Sequence, residues 1–283
     1  MGWVPTATDP TASDFTASDP TATDPAATDP SPAITALRHS HDRLTALLHG
    51  LDADGIRQES YDEGWPIAQV ASHLGSQAEI FGLMLDAGLT GDEMPGMPVF
   101  QQAWARWDAS TPEEQVAGSI EANEALVGRI EGLSAQQREQ FAADLFGVQA
   151  DLNRFVVMKL AEHAIHTWDV ATALDPAATV SADAVDLLLD GVPALAARGA
   201  KPTAEPRTIG VTVTDPDHRY LIVTGPAVSV TEAEDGDDVD ATLTLPAEAF
   251  LRLVYGRLDP AHVPSGVAES PEVATLRTVF RGL

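Results

Sequence analysis

The chain contains no cysteine. That excludes a disulfide framework, a thiolate metal ligand and a cysteine nucleophile, so any thiol chemistry must use a thiol brought in by another molecule. Lysine is almost absent as well: Lys159 and Lys201 are the only two, and arginine supplies the rest of the basic charge. Arginine in place of lysine, with abundant Ala, Val, Asp and Gly, suggests a genome of high G+C content. Positive charge is scarce overall, with 16 basic against 43 acidic residues and a formal net charge of -27. A surface this acidic repels phosphate backbones, which argues against general nucleic-acid binding. No apolar run approaches the roughly 20 residues that span a membrane. The basic and apolar regions of a secretory signal are missing too, so a cytoplasmic protein with no membrane partner is expected.

What is present suits a globular protein. The 283 residues are 44% hydrophobic, enough for two domains with separate cores. The first segment is different. Residues 6–30 repeat a pentapeptide, Thr6-Ala7-Thr8-Asp9-Pro10 and its variants, with aspartates at 9, 14, 19, 24 and 29. A period of five matches neither helix nor strand, the prolines forbid a regular helix, and apolar area is too small to offset ordering. Residues 1–32 are therefore expected to be a disordered acidic tail.

Residues 33–200 read as helices. Ile34, Leu37, His41, Leu44, Leu47, Leu48 and Leu51 form a stripe spaced by three and four. Trp65-Pro66 opens a second helix whose inward face carries Ile67, Val70, Ala71, Leu74, Ala78 and Phe81. After a Gly/Met/Pro loop at 88–98 comes a short aromatic helix around Phe100, Trp104 and Trp107. Thr111-Pro112-Glu113-Glu114 has the cap, proline and early acids of a third long helix. Another long helix covers 149–175, and Ser181 caps one more that runs to about Gly199. Residues 201–283 change character: Ile209–Thr214, Tyr220–Thr224, Ala227–Thr231 and Ala241–Leu245 have strand composition. Asp215-Pro216-Asp217 turns the first two into a hairpin, and helices follow from Pro246 and over about 271–281. The class is α+β.

Chemistry concentrates in Lys159-Leu160-Ala161-Glu162-His163-Ala164-Ile165-His166-Thr167-Trp168-Asp169. Glu162 and His166 are four apart on a helix, so a carboxylate and an imidazole project from one face, one turn apart. Such a pair can bind a divalent metal and leave room for a third ligand and an open position. His73 is the best third ligand. His163 points about 100° away from Glu162 and is left out. Asp169, one turn past His166, either orients that imidazole or caps a neighbouring helix. Trp168 lines a cofactor pocket or belongs to the core. His39, His41, His49, His218 and His262 have no ligand spacing and are expected at the surface.

The Trp-Pro helix start ahead of His73, the Glu162-x-x-x-His166 pair followed by Thr167-Trp168-Asp169-Val170, and Leu253-Val254-Tyr255-Gly256-Arg257 in a strand-rich tail form a specific combination. The chain resembles, over residues 33–283, the mycothiol-dependent maleylpyruvate isomerase family. The resemblance implies an N-terminal DinB-like metal-binding four-helix bundle followed by a smaller sterol-carrier-like α/β domain. It also implies that His73, Glu162 and His166 are a zinc triad, and that mycothiol is the thiol cosubstrate. Arg257 matches a family arginine suited to a carboxylate of the substrate or thiol; otherwise it is a helix-end residue facing the helix dipole. The implied activity is cis-trans isomerisation, in which a thiolate adds to a conjugated double bond, the resulting single bond rotates and the thiolate leaves. An S-transferase acting on a small electrophile would use the same parts. Two other readings stay open: a non-catalytic metal-binding or regulatory member, and a hydrolase-like relative in which zinc activates water.

Overall fold

The computed structural model describes residues 28–282, apart from Phe146 and Ser265. Most of the expected tail over 1–32, including the repeat up to residue 27, lies outside the described residues. The chain divides into two compact units between Ala184 and Val185. That is earlier than the 200/201 boundary read from the sequence, because the helix at 192–199 packs on strand 229–232 of the C-terminal sheet.

The N-terminal unit begins with α1 (Ser31–His49), which buries Ala33, Ile34, Ala36, Leu37, Leu44 and Leu48. Helix α2 (Ile67–Thr90) starts directly after Pro66, whose extended backbone and missing N–H suit a helix entry. It ends at Gly91 in the left-handed region, where the glycine N–H caps Ala87 O. Helix α3 (Met97–Asp108) rides on α2. Thr111 and Glu114 close a reciprocal capping box at the start of α4 (Pro112–Glu131), and Ser134 with Gln137 repeats the device for α5 (Ala135–Gln140). A hairpin of β1 (Ala143–Leu145) and β2 (Val148–Ala150) precedes α6 (Leu152–Leu174), which Asp151 caps through the Arg154 N–H. The sequence reading has no hairpin here, since strands of three residues are too short to show alternation.

Four of these helices form the bundle. Helix α1 packs against α6 and α4, and α2 packs against the same two, so the ring order is α1–α6–α2–α4. Residues on α2 and α6 are therefore neighbours although far apart in sequence. No helix among the described residues is long and apolar enough to cross a membrane.

The stretch from Ser181 to Gly199 is not the single helix expected. It is α7 (Ala182–Leu188), a 3-10 turn at Leu189–Gly191 and α8 (Val192–Gly199). Pro193 explains the break: it has no N–H to donate back and its ring collides with the carbonyl a turn earlier. The C-terminal unit continues with β3 (Arg207–Thr214), β4 (His218–Thr224), β5 (Ser229–Glu232) and β6 (Ala241–Pro246), in the sheet order β5-β4-β3-β6. In this sheet β3 and β6 pair in parallel, while β3–β4 and β4–β5 pair antiparallel. Alternate residues Ile209, Val211, Val213, Tyr220, Ile222, Leu243 and Leu245 are buried, so one face of the sheet carries the core. Helix α9 (Ala247–Val254) packs beside β3 and β6, with Phe250 stacked on Tyr220 at 4.9 Å, and α10 (Pro271–Val279) also packs on β6.

Gly256 has φ 71°, and a Cβ built there would come closer than 3.0 Å to main-chain atoms of Arg281 and Gly282. The C-terminal backbone thus seats directly on this glycine. Gly256→Ala meets both a left-handed backbone penalty and an immovable neighbour. It is expected to cost about 1–3 kcal/mol. Faster hydrogen exchange at residues 280–282 is the accompanying sign, and unchanged exchange with unchanged stability would contradict the seating.

A candidate metal centre between two bundle helices

His73 lies in the second turn of α2, while Glu162 and His166 lie one turn apart on α6. Leu44, Leu48, Ile67, Val70, Ala71, Leu74 and Val170 form a close-packed cluster in the same part of the bundle, which makes both helices rigid supports. His73 Nε2 is 3.3 Å from Glu162 Oε2, and His166 Nε2 is 3.9 Å from the same oxygen. The three ligand atoms all lie within 4.8 Å of one another. Bonds of about 2.1 Å in a tetrahedron place neighbouring ligand atoms about 3.4 Å apart, a spacing that the 3.3 and 3.9 Å separations bracket. The side chains are 20%, 37% and 16% exposed, so the cluster is partly buried but not sealed from solvent.

The electrostatics prepare these groups for a cation. Burial pushes the His73 imidazole below its ordinary pKa; the Glu162 hydrogen bond opposes this, and the nearby His166 and Lys159 reinforce it. At neutral pH His73 is uncharged, with a lone pair to offer. For Glu162, burial acts upward, but the His73 hydrogen bond and the fields of His73, His166 and Lys159 hold the carboxyl well below the usual range. The ligand set is therefore one carboxylate and two nitrogens, the combination that zinc accepts.

Lys159, one turn before Glu162, has no exposed surface, and its Nζ makes no hydrogen bond within the described residues. Its Nζ stands 5.6 Å from the centre of the Phe81 ring. Burial brings its pKa down to about 7, against the opposing pull of Glu162. His163 lies on the other side of α6 from the triad, as its position on the helix predicts, with Nδ1 2.8 Å from Ser40 Oγ on α1.

His41 departs from expectation. It is buried, not at the surface, with Nε2 3.1 Å from Glu124 Oε2 on α4. The apolar stripe of α1 turns it inward, Glu124 supplies a polar partner, and burial lowers its pKa. His39 and His49 are exposed, and His218 and His262 are partly so.

Three further residues surround the triad. Asp169 is completely buried, and its Oδ2 is 2.8 Å from His166 Nδ1. The imidazole contact, one of its two readings, is formed. Asp62 Oδ2 is 3.5 Å from the same nitrogen. The Trp65 ring stacks on His166 with centroids 6.5 Å apart and lies 5.5 Å from that of His73. Sequence marks Trp65 only as a helix start and does not mark Asp62 at all, because both sit in a turn with no periodicity. Their one signal is position, just ahead of the helix that carries His73. Trp168, by contrast, is 1% exposed, donates its indole N–H to Ala178 O at 2.8 Å and meets the edge of Tyr61. It belongs to the core, and Trp65 is the tryptophan beside the imidazoles. Arg257 lies in the C-terminal unit, half-buried, with Nη1 donating to Tyr255 O at 3.0 Å.

The chain matches the mycothiol maleylpyruvate isomerase N-terminal domain over residues 37–171 and the MDMPI C-terminal domain, the second module of the same enzyme, over residues 190–272. No curated protein sequence is significantly similar to it. Its fold is similar to a crystal structure of the mycothiol-dependent maleylpyruvate isomerase, with a TM-score of 0.62 at 15% identity. The match covers 81% of this chain and 90% of the other. A histidine-to-alanine mutant of that enzyme aligns with the same TM-score and coverage at 14% identity. Both modules occur in order and the two-module fold follows them, so the chain belongs to the mycothiol-dependent maleylpyruvate isomerase family.

Proposed function

We propose that this protein is a zinc-dependent enzyme that uses mycothiol to isomerise maleylpyruvate or a related conjugated electrophile, or to transfer the thiol to one. The observation that carries this is the convergence of His73, Glu162 and His166 on one accessible point in a chain that has no thiol of its own. A bound zinc ion would lower the pKa of an incoming thiol, making it a nucleophile at neutral pH. The chain's residues do the rest. His73 offers a neutral nitrogen, His166 a second imidazole and Glu162 a single negative charge, and the Trp65 ring walls the imidazoles on one side. Arg257 supplies a guanidinium suited to pairing with a carboxylate of the thiol or the substrate. Addition of the thiolate would break the π bond of the conjugated double bond, send its electron pair to the adjacent carbonyl as an enolate, and leave a single bond free to rotate. Expulsion of the same thiolate restores the double bond in the other geometry, with no net gain or loss of atoms. A transferase outcome follows where the adduct is released instead.

The test measures bound metal and turnover together. Wild type is expected to carry one zinc per chain and to convert maleylpyruvate only when thiol is added, with mycothiol better than glutathione. Glu162→Ala is expected to lose metal and turnover while keeping its helical content, since the bundle core is built from other residues. Turnover indifferent to thiol would favour activated water and a hydrolase. Full metal content in Glu162→Ala would refute the triad.

A further inference from the structure

His166 carries more than one of the site's requirements, because its two nitrogens face different groups. Nε2 lies on the triad side, 3.9 Å from Glu162 Oε2, and Nδ1 lies 2.8 Å from Asp169 Oδ2. We propose that Asp169 is a positioning residue that holds His166 in the Nδ1–H tautomer, so that the bare Nε2 is presented to a metal with His73 and Glu162. The inference rests on the triad reading above and adds a role for a residue outside it.

An ionised carboxylate only accepts hydrogen bonds, so the nitrogen that faces it at this distance must carry the hydrogen. A neutral imidazole has a single N–H, which leaves Nε2 with a free lone pair. Without a fixed acceptor at Nδ1 the two tautomers of a histidine exchange freely, and one of them blocks the nitrogen that a metal needs. A carboxylate behind a ligating imidazole also raises its basicity and fixes the ring plane.

Several features suit Asp169 to this task. It stands three residues past His166, where one helical turn brings the side chains together. It has no exposed surface, so water does not compete for the carboxylate. Its main-chain oxygen accepts the Tyr61 N–H at 3.1 Å, which ties this turn of α6 to the segment leading into α2. Asp62 comes from that segment. Its oxygen is 3.5 Å from the same Nδ1, and its side chain is 30% exposed, which makes it the weaker and more hydrated of the two acceptors. The ranking is itself testable: Asp169 sets the tautomer and Asp62 does not.

The experiment uses the full chain, stripped of metal and labelled with 15N at histidine, with His166 assigned by its loss in His166→Gln. Long-range proton–nitrogen spectra distinguish Nδ1–H from Nε2–H. Wild type is expected to show Nδ1–H at His166. In Asp169→Asn, which keeps the volume but can donate, the Nε2–H form is expected to appear. Zinc affinity of that variant should fall about 10–100-fold. Asp169→Glu is expected to restore part of the affinity, and Asp62→Asn to change neither readout much. A wild-type protein with Nε2–H at His166, or an Asp169→Asn variant with native tautomer and native zinc affinity, overturns the proposal. Should wild type bind no zinc, the triad reading fails on its own, while the tautomer in metal-free protein still decides the role of Asp169.

Discussion

Replacing Lys159 with methionine is expected to make the metal-free protein more stable at neutral pH, by up to about 5 kcal/mol. The gain comes from the folded state's reluctance to hold an ammonium there. Burial takes the lysine from 10.5 to about 7, and its Nζ has no hydrogen-bond partner within the described residues. Each pH unit of that difference is worth about 1.36 kcal/mol. The sign follows from proton counting. Between pH 7 and 10.5 the unfolded chain holds a proton on Lys159 that the folded chain has released, so this group makes stability rise with pH across that window. Its cost is complete below pH 7 and absent above 10.5. Lys159→Met keeps most of the buried chain and removes the ammonium. Its advantage over wild type is therefore largest at pH 6–7 and fades towards pH 10. Urea unfolding of both proteins with chelator present, across that range, is the measurement. A variant less stable than wild type at pH 7 would mean that the ammonium is well accommodated.

The site was partly legible in the sequence, for reasons that differ from residue to residue. Glu162 and His166 could be paired because helix geometry alone fixes a spacing of four on one face. His73 could not be joined to them by spacing. Its partnership depends on α2 and α6 being neighbours in the ring, which is a tertiary fact; residue type made it a candidate, and the family resemblance joined it to the pair. Asp62 and Trp65 reach the imidazoles from an irregular turn, where no period marks which side chains point inward. The burial of Trp168 was readable in principle. It follows His166 by two residues, about 200° around the helix, and so faces away from the triad. His41 continues the apolar stripe of α1 and is buried with it, so its place on the helix outweighs the usual surface preference of a lone histidine. The break at Leu189–Gly191 also had a signal, Gly191 followed closely by Pro193, in a stretch whose helical composition masked it. Strand order was beyond reach, since the parallel pairing of β3 with β6 joins elements separated by a hairpin and an edge strand.

Gly75→Ala is expected to destabilise the bundle by about 1–3 kcal/mol, although alanine is the better helix former. Helix propensity alone favours the change by about 1 kcal/mol at a helix interior position. Packing acts the other way. A Cβ at Gly75 would come closer than 3.0 Å to three ring atoms of Trp107, a separation that real Cβ atoms do not adopt. The indole has little room to retreat. Its other side faces Gly118 on α4, where a Cβ would already be 3.3 Å away, and its N–H donates to Glu79 Oε2 at 3.1 Å. Trp107 is therefore a wedge seated between two glycines on α2 and α4, the helix pair with the broadest contact in the bundle. Driving it out loses the contacts of a half-buried aromatic ring and a hydrogen bond; leaving it in place moves α2, and His73 stands two residues from the point of pressure. Either route outweighs the propensity gain. Gly82 on the same helix is the control. Its added Cβ would meet only the Arg129 Nη1 at 3.4 Å, an ordinary contact with a flexible side chain. Gly82→Ala should therefore show the propensity term alone and stabilise by about 0.5–1 kcal/mol. Chemical unfolding of the two variants beside wild type reads opposite signs from the same substitution seven residues apart. Equal shifts in both would mean that Trp107 yields freely and that the glycine at 75 is not what seats it.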